Sequence, residues 1–171
     1  IAFGNGRIEA TEVHVAARYP GRIADVLARE GDLVEAGQML ALMDTRELEA
    51  QLARSDAEIA QAERSVAQAR AAIVQRQSEL RFAEQELSRA LILLQKGHGT
   101  KERADERHAA RDSAAAGLDA ATAYLAATEH TVVAAEAAAR VIRAQIEDGR
   151  LTAPRFGRVQ YRLAEPGEVL A

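Results

Sequence analysis

Val15-Ala-Ala-Arg-Tyr-Pro-Gly-Arg-Ile-Ala-Asp-Val-Leu-Ala-Arg-Glu-Gly-Asp-Leu-Val34 and Leu151-Thr-Ala-Pro-Arg-Phe-Gly-Arg-Val-Gln-Tyr-Arg-Leu-Ala-Glu-Pro-Gly-Glu-Val-Leu170 are two versions of one short β-like passage, set far apart in the chain. A constant offset of 136, without gaps, places Ala17 on Ala153, Gly21 on Gly157, Arg22 on Arg158, Ile23 on Val159, Gly31 on Gly167 and Leu33 on Val169. Glycine on glycine weighs most, because it marks places where backbone geometry itself repeats. One structural unit is therefore written as two halves with a long insertion between them.

The first half, residues 1–43, alternates as strands do. Val13, Val15 and Ala17 share one face, followed by Ile23 and Val26, then by Met39, Ala41 and Met43 opposite Leu40 and Leu42. Pro20-Gly21, Gly31-Asp32 and Ala36-Gly37 supply the fixed or positive φ that short β connections need. The second half, residues 150–171, ends at the counterpart of Glu35, so the strand matching 38–43 is expected to come from further chain.

From Asp44 the period changes. Asp44-Thr45-Arg46-Glu47 has the spacing of a capping box, with Asp44 accepting from first-turn amides and Glu47 reaching back. Alternate steps of four and three from Leu48 to Leu94 meet apolar residues at twelve of fourteen positions, Ser55 and Arg76 excepted. That is the period of a coiled coil. Gly97-His98-Gly99 breaks it, and a second series from Ala104 to Ile146 is apolar at ten of thirteen positions. Two long helices joined by a few residues run antiparallel, so residues 44–149 read as a helical hairpin with its tip at about 97–100. A helix of about 50 residues spans roughly 75 Å. Arg76 inside the apolar series either sets register, contacts a neighbouring copy, or carries its stem past an alanine.

Composition agrees with thin packing between helices. The 48% hydrophobic content is mostly alanine and only 4% is aromatic, which leaves little for a thick globular core. A formal net charge of -4 gives no basic footprint and argues against nucleic acid as a partner. The chain has no cysteine, hence no disulfide and no thiolate site. No run reaches the 18 apolar residues of a membrane-spanning helix, and a start at Ile1 leaves room for a targeting or anchoring segment before it.

The order Pro-Gly-Arg-Ile, Glu-Gly-Asp-Leu-Val and Gly-Gln-Met-Leu (residues 20–40), a coiled-coil hairpin, then Ala-Pro-Arg-Phe-Gly-Arg-Val and Pro-Gly-Glu-Val-Leu (residues 153–170) resembles the HlyD-type periplasmic adaptor, or membrane fusion protein, family. The resemblance covers almost the whole chain. It implies an α+β fold in which the two halves form a biotinyl/lipoyl-like barrel-sandwich hybrid carrying the hairpin as an insertion. It also implies a homo-oligomeric, trimeric or hexameric, subunit in the periplasm. Such a subunit is held at the inner membrane by a segment preceding residue 1, and links an inner-membrane transporter to a TolC-type outer-membrane channel. An ABC-type transporter is the first expectation. True lipoyl and biotinyl carriers modify a lysine at the junction of their halves; here that junction is Met43-Asp44-Thr45, and the only lysines are Lys96 and Lys101.

Some adaptors of this family carry, near the hairpin turn, an Arg, a Leu four residues on, and a Ser seven beyond it, as contacts to the channel. Arg89, Leu93 and Thr100 match that spacing, with threonine for serine. A guanidinium binds carbonyls or carboxylates in fork geometry, leucine is an apolar anchor, and a hydroxyl both donates and accepts. The competing reading is a solvated Arg89, Leu93 flanking the seam beside Leu94, and Thr100 capping the second helix. Lys96, His98 and Lys101 add positive charge at the turn, suited to an acidic channel rim.

Nothing else carries chemistry. His14, His98, His108 and His130 are scattered without ligand spacing, Met39 and Met43 read as strand residues, and Gly4-Asn5-Gly6 lacks the flanks of a phosphate loop. No catalytic residue, cofactor or metal is expected, and the carboxylates read as the charged exterior of a coiled coil. The rival to the adaptor is a structural coiled-coil protein whose β halves only clamp the hairpin ends.

Overall fold

A computed structural model describes residues 12–170; residues 1–11, with Gly4-Asn5-Gly6, and Ala171 lie outside the described residues. The order of elements is β1 (Gly21–Val26), β2 (Leu33–Val34), β3 (Met39–Met43), α1 (Arg46–Gln95), α2 (Lys101–Asp148), β4 (Arg150–Thr152), β5 (Gly157–Arg158) and β6 (Val169–Leu170). The chain divides into two units, Ile1–Gln51 with Val141–Ala171, and Leu52–Arg140. None of the described helices is long and apolar enough to cross a membrane.

In the first unit all strand pairs are antiparallel, in a four-stranded sheet ordered β4-β3-β1-β6 and a two-stranded sheet of β2 and β5. The repeat read from the sequence governs the pairing. Gly21 and Arg22 pair with Leu170 and Val169, and their counterparts Gly157 and Arg158 pair with Val34 and Leu33. Each half thus lends a strand to the other. The amide of Gly31 donates to Val159 O at 2.8 Å and that of Gly167 to Ile23 O at 2.8 Å; Ile23 N reaches Glu168 O and Val159 N reaches Asp32 O, both at 2.9 Å. Gly31 and Gly167 have φ of 88° and 91°, a region that L side chains avoid, which is why glycine recurs there. Even the turn brackets match: Asp32 Oδ2 accepts from Arg29 N, and Glu168 Oε2 from Glu165 N. Among the described residues of this unit the buried apolar ones are Ile23, Ala28, Val34 and Ala153.

Three expectations change. Val13 to Ala17 form no strand, and Val13 and Val15 are exposed. Their counterparts Gly149 to Ala153 include β4, which pairs with β3, whereas the described residues contain no equivalent of β3 for the segment 13–17. Alternation prepares a face, but a strand forms only against a neighbour. Gly21 is not needed for positive φ, and a Cβ there would meet only Met43 Cε at 2.9 Å, the free end of a flexible side chain that can move aside. The capping box is half made. Asp44 Oδ1 accepts from Arg46 N at 3.2 Å, but the Asp44 amide donates to Arg22 O instead of meeting Glu47, and the helix begins at Arg46.

Arg46 also folds back on Asp44, with Nε 2.9 Å from Oδ1 and Nη2 2.6 Å from Oδ2. These side-chain bonds, with the backbone bond, lower the Asp44 carboxyl from 3.8 to about 2.

In the second unit α1 and α2 pair as an antiparallel hairpin. Its seven buried residues, Ser55, Val66, Ala69 and Ala90 from α1 and Ala104, Thr128 and Ala139 from α2, all fall on the heptad positions read from the sequence. Small side chains bury little area each. Salt bridges Arg70–Glu129 (3.0 Å) and Arg111–Glu84 (3.9 Å) tie the helices together across the seam. Arg76 passes its stem over Gly117 rather than an alanine, its Cδ 3.8 Å from where a Cβ would stand, and its guanidinium bonds Glu79 at 2.8 Å. With Gln75, that bond holds the Glu79 carboxyl below its ordinary value.

Two measurements check this account. Ser55 Oγ is buried with no hydrogen-bond partner among the described residues, whereas Thr128 Oγ1 donates to Leu125 O. Ser55→Ala removes an unpaired buried hydroxyl and improves helix propensity, so it should raise unfolding stability by about 1 kcal/mol in urea, with Thr128→Ala as the contrasting loss. In a carboxyl NMR titration Asp44 should show a midpoint near 2, returning toward 3.8 in Arg46→Gln. Because the folded state favours the charged carboxylate, its stabilising contribution is complete above about pH 4 and is lost as pH falls through about 2.

Candidate functional site at the helical turn

The last turn of α1 and the first of α2 are closed by backbone chemistry that the local sequence dictates. Gly97 has φ 73°, and its amide donates to Leu94 O at 3.0 Å while His98 N donates to Leu93 O at 2.9 Å. Those two bonds are the Schellman arrangement, which satisfies carbonyls that a helix end leaves open. Gly99 has a different reason to be glycine. A Cβ there would stand 2.9 Å from Leu94 N and 3.3 Å from Leu93 Cβ, so the returning chain lies directly on the end of α1.

Thr100 then starts α2. Its Oγ1 accepts from Arg103 N at 3.3 Å, the geometry of a helix N-cap. The capping role anticipated for Thr100 is therefore present, and the hydroxyl proton stays available for a second partner. Arg89 and Leu93, one helical turn apart on α1, share a side of the helix. Arg89 is exposed and pairs with Glu86 at 3.3 Å, which leaves further guanidinium donors free of that contact. Leu93 is 46% exposed.

Leu93 is not alone. Leu91 and Ile92 are 49% and 48% exposed, so three consecutive large aliphatic side chains meet solvent at the turn end of α1. The sequence held this signal: Leu91-Ile-Leu-Leu94 sweeps most of the helix circumference, and a single seam cannot cover it. Only Leu94 was assigned to the seam, and Leu91 and Ile92 were missed. Lys96, His98 and Lys101 surround the patch in sequence, and Lys96, His98 and Lys101 are exposed. The site is an apolar surface with a basic surround, suited to binding and devoid of a catalytic dyad. Among the described residues no group of three His, Asp or Glu is placed to hold a metal ion.

No protein-family model matches the chain. Its fold matches that of MacA from Actinobacillus actinomycetemcomitans, with a TM-score of 0.63 and 20% sequence identity over 94% of this chain and 45% of that one. The soluble domain of LipC, a membrane fusion protein of a type I secretion system, aligns with a TM-score of 0.49 and 13% identity over 94% of this chain and 96% of that one. In sequence, 51 residues are 37% identical to the 36 kDa antigen of Helicobacter pylori, covering 30% of this chain and 16% of the relative. The chain thus spans less than half of the MacA chain and about a sixth of its curated relative. The structural neighbours are membrane fusion and periplasmic adaptor proteins, the group that the sequence motifs resemble.

The turn geometry sets a clear mutational order. Thr100→Ala should cost about 1 kcal/mol in thermal or urea unfolding, while Thr100→Ser and Thr100→Asn keep the cap and stay near the parent. Gly97→Ala should lose a similar amount through φ. Gly99→Ala, which meets backbone rather than a movable side chain, should also destabilise the turn and shift the amide resonances of Leu93 and Leu94.

Proposed function

We propose that this chain is the non-enzymatic periplasmic adaptor of a tripartite efflux or type I secretion-like system. In this reading residues 1–43 and 150–171 form a lipoyl-like barrel-sandwich hybrid, and residues 44–149 are its inserted coiled-coil hairpin. The adaptor assembles with itself and joins an inner-membrane transporter, an ABC-type exporter by first preference, to a TolC-type outer-membrane channel. The hairpin turn docks on the channel through Arg89, Leu93 and Thr100.

One observation carries the reading: the turn presents three exposed aliphatic side chains where a self-sufficient coiled coil would present polar ones. A structural hairpin needs its seam, its caps and a solvated exterior, and gains nothing from Leu91 to Leu93 facing water. Docking uses them. Apolar anchors such as Leu93 contribute affinity on desolvation, Arg89 contributes directional bonds, and Lys96 and Lys101 raise the encounter rate with an acidic rim. The MacA-like fold and the crossed halves of the repeat support the same assignment. A lipoyl carrier finds no support, since the residues between β3 and α1 are Asp44 and Thr45, neither of them an amine.

The test is export in cells carrying the transporter and channel. Arg89→Ala with Leu93→Ala should reduce export at least about tenfold, roughly the loss of one hot-spot contact, with adaptor abundance and helicity unchanged. Thr100→Asp keeps the cap while placing a carboxylate at the interface, so it should lower export without destabilising the hairpin. Unchanged export in the triple variant removes tip docking.

A further inference from the structure

The junction from which the hairpin departs also shapes the surface beside it. Where β1, the connection from β3 to α1 and the turn at Gly167 come together, the first unit sinks into an open hollow of about 440 Å³. That is within the size range of small-molecule sites. Its charged groups are Arg22, Asp44 and Arg46, and Ala24 and Met43 form its apolar side.

Charge in this hollow does not cancel. Asp44 is engaged by Arg46, whose amide and Nε reach Oδ1 at 3.2 and 2.9 Å and whose Nη2 reaches Oδ2 at 2.6 Å. Those bonds, and after them the charge of Arg22, lower its carboxyl to about 2, so it is ionised near neutral pH. The Arg22 guanidinium makes no ion pair among the described residues. Neighbouring carboxylates are committed elsewhere, Glu49 accepting from Thr45 Oγ1 and Glu168 from Glu165 N. Two guanidiniums against one carboxylate leave one positive charge, in a chain whose formal net charge is -4. Donors are left over as well: the N–H groups of Arg22 and Nη1 of Arg46 lie outside the Asp44 pair. Met43 brings a different property. Its Cε lies 2.9 Å from where a Cβ of Gly21 would stand, and its thioether rides on flexible bonds that let it follow the shape of a ligand.

We infer that this hollow binds a small aliphatic monocarboxylate, its charged end on Arg22 and Arg46 and its short chain against Met43 and Ala24. The planar guanidinium fork matches the plane of a carboxylate. One negative charge neutralises the site, whereas the second charge of a phosphate dianion would stand uncompensated beside Asp44. The apolar side favours a ligand with a few carbons beyond the carboxylate, since covering Met43 removes apolar surface from water. The repeat confines the site to one half of the unit. Arg158, the counterpart of Arg22, lies across from Leu33 in β5, where no helix begins. Neither tip docking nor self-assembly enters the inference, so it stands or falls apart from the adaptor reading.

Amide NMR of the purified chain, titrated with sodium butyrate near neutral pH and with sodium chloride at equal concentration, supplies the test. Resonances of Arg22 to Ala24 and of Asp44 to Arg46 should move saturably with butyrate, with a Kd on the order of 1–10 mM for so small a ligand in an open site. Acetate, with two fewer carbons to lay on Met43, should bind about fivefold more weakly. Arg22→Gln removes an exposed guanidinium without breaking an ion pair, so the dispersed spectrum of the fold should persist while affinity falls about tenfold. Arg158→Gln, the same change in the other half, should leave affinity within about twofold of the parent. Shifts that rise linearly to about 100 mM, that sodium chloride reproduces, or that persist in Arg22→Gln overturn the inference. So does inorganic phosphate binding more tightly than butyrate.

Discussion

The reciprocal hydrogen bonds between the two halves of the repeat constrain everything placed between them. Gly31 N to Val159 O and Gly167 N to Ile23 O each tie a residue of one half to a residue of the other, so neither half completes its pairing alone. The inserted chain must therefore leave and re-enter at one place. Met43 N donates to Gly149 O at 2.8 Å, and a Cβ at Gly149 would lie 3.0 Å from Thr45 Cγ2, so departure and return are in contact. Two antiparallel helices of nearly equal length, 50 and 48 residues, meet that condition with a single tight turn. A single helix or an open loop of that size would separate the halves or add entropy to their closure.

Alanine is what lets so long an insertion hold itself together. Hairpin helices that meet through small side chains approach closely, and many weak contacts then add along the length. The cost is that little apolar area is buried per turn, so imperfections weigh more than in a leucine seam. Ser55, buried and unpaired, and Arg76, threaded over Gly117, are two such imperfections. Cross-helix ion pairs such as Arg70–Glu129 are exposed and add little stability each, but they favour one register over its neighbours, which a nearly uniform alanine surface would not do by itself.

Legibility in the sequence followed the physics of each signal. The heptad series located all seven buried residues of the hairpin because the helical period is set within one chain segment and survives any neighbour. The matched glycines located the crossed pairing because positive φ at Gly31 and Gly167 is a local property that no other residue supplies cheaply. Val13 to Ala17 misled for the opposite reason: alternation describes a face, and a strand is a property of two segments. Gly99 is required by close approach to the end of α1, and close approach is invisible without the fold. At the candidate site, Thr100 as a cap was readable from residue type and position. The exposure of Leu91 and Ile92 was readable too, but only by asking how much of a helix one seam can cover.

The same question, asked of charge, separates what a hairpin needs from what it offers. Residues beside the seam serve the partner helix, and there Glu84 and Glu129 meet arginines of the same chain. Residues on the outer faces pair along their own helix or not at all: Arg54 meets Glu58 and Arg89 meets Glu86, while Arg64 and Arg81 make no ion pair among the described residues. Between residues 53 and 95 the outer face of α1 carries arginine and no acid, and between 105 and 137 that of α2 carries carboxylates and neither lysine nor arginine. Arg89 stands one turn from Leu93 near the end of the helix. A guanidinium has five donors, enough to hold Glu86 and still present a polar face beside the half-exposed Leu93.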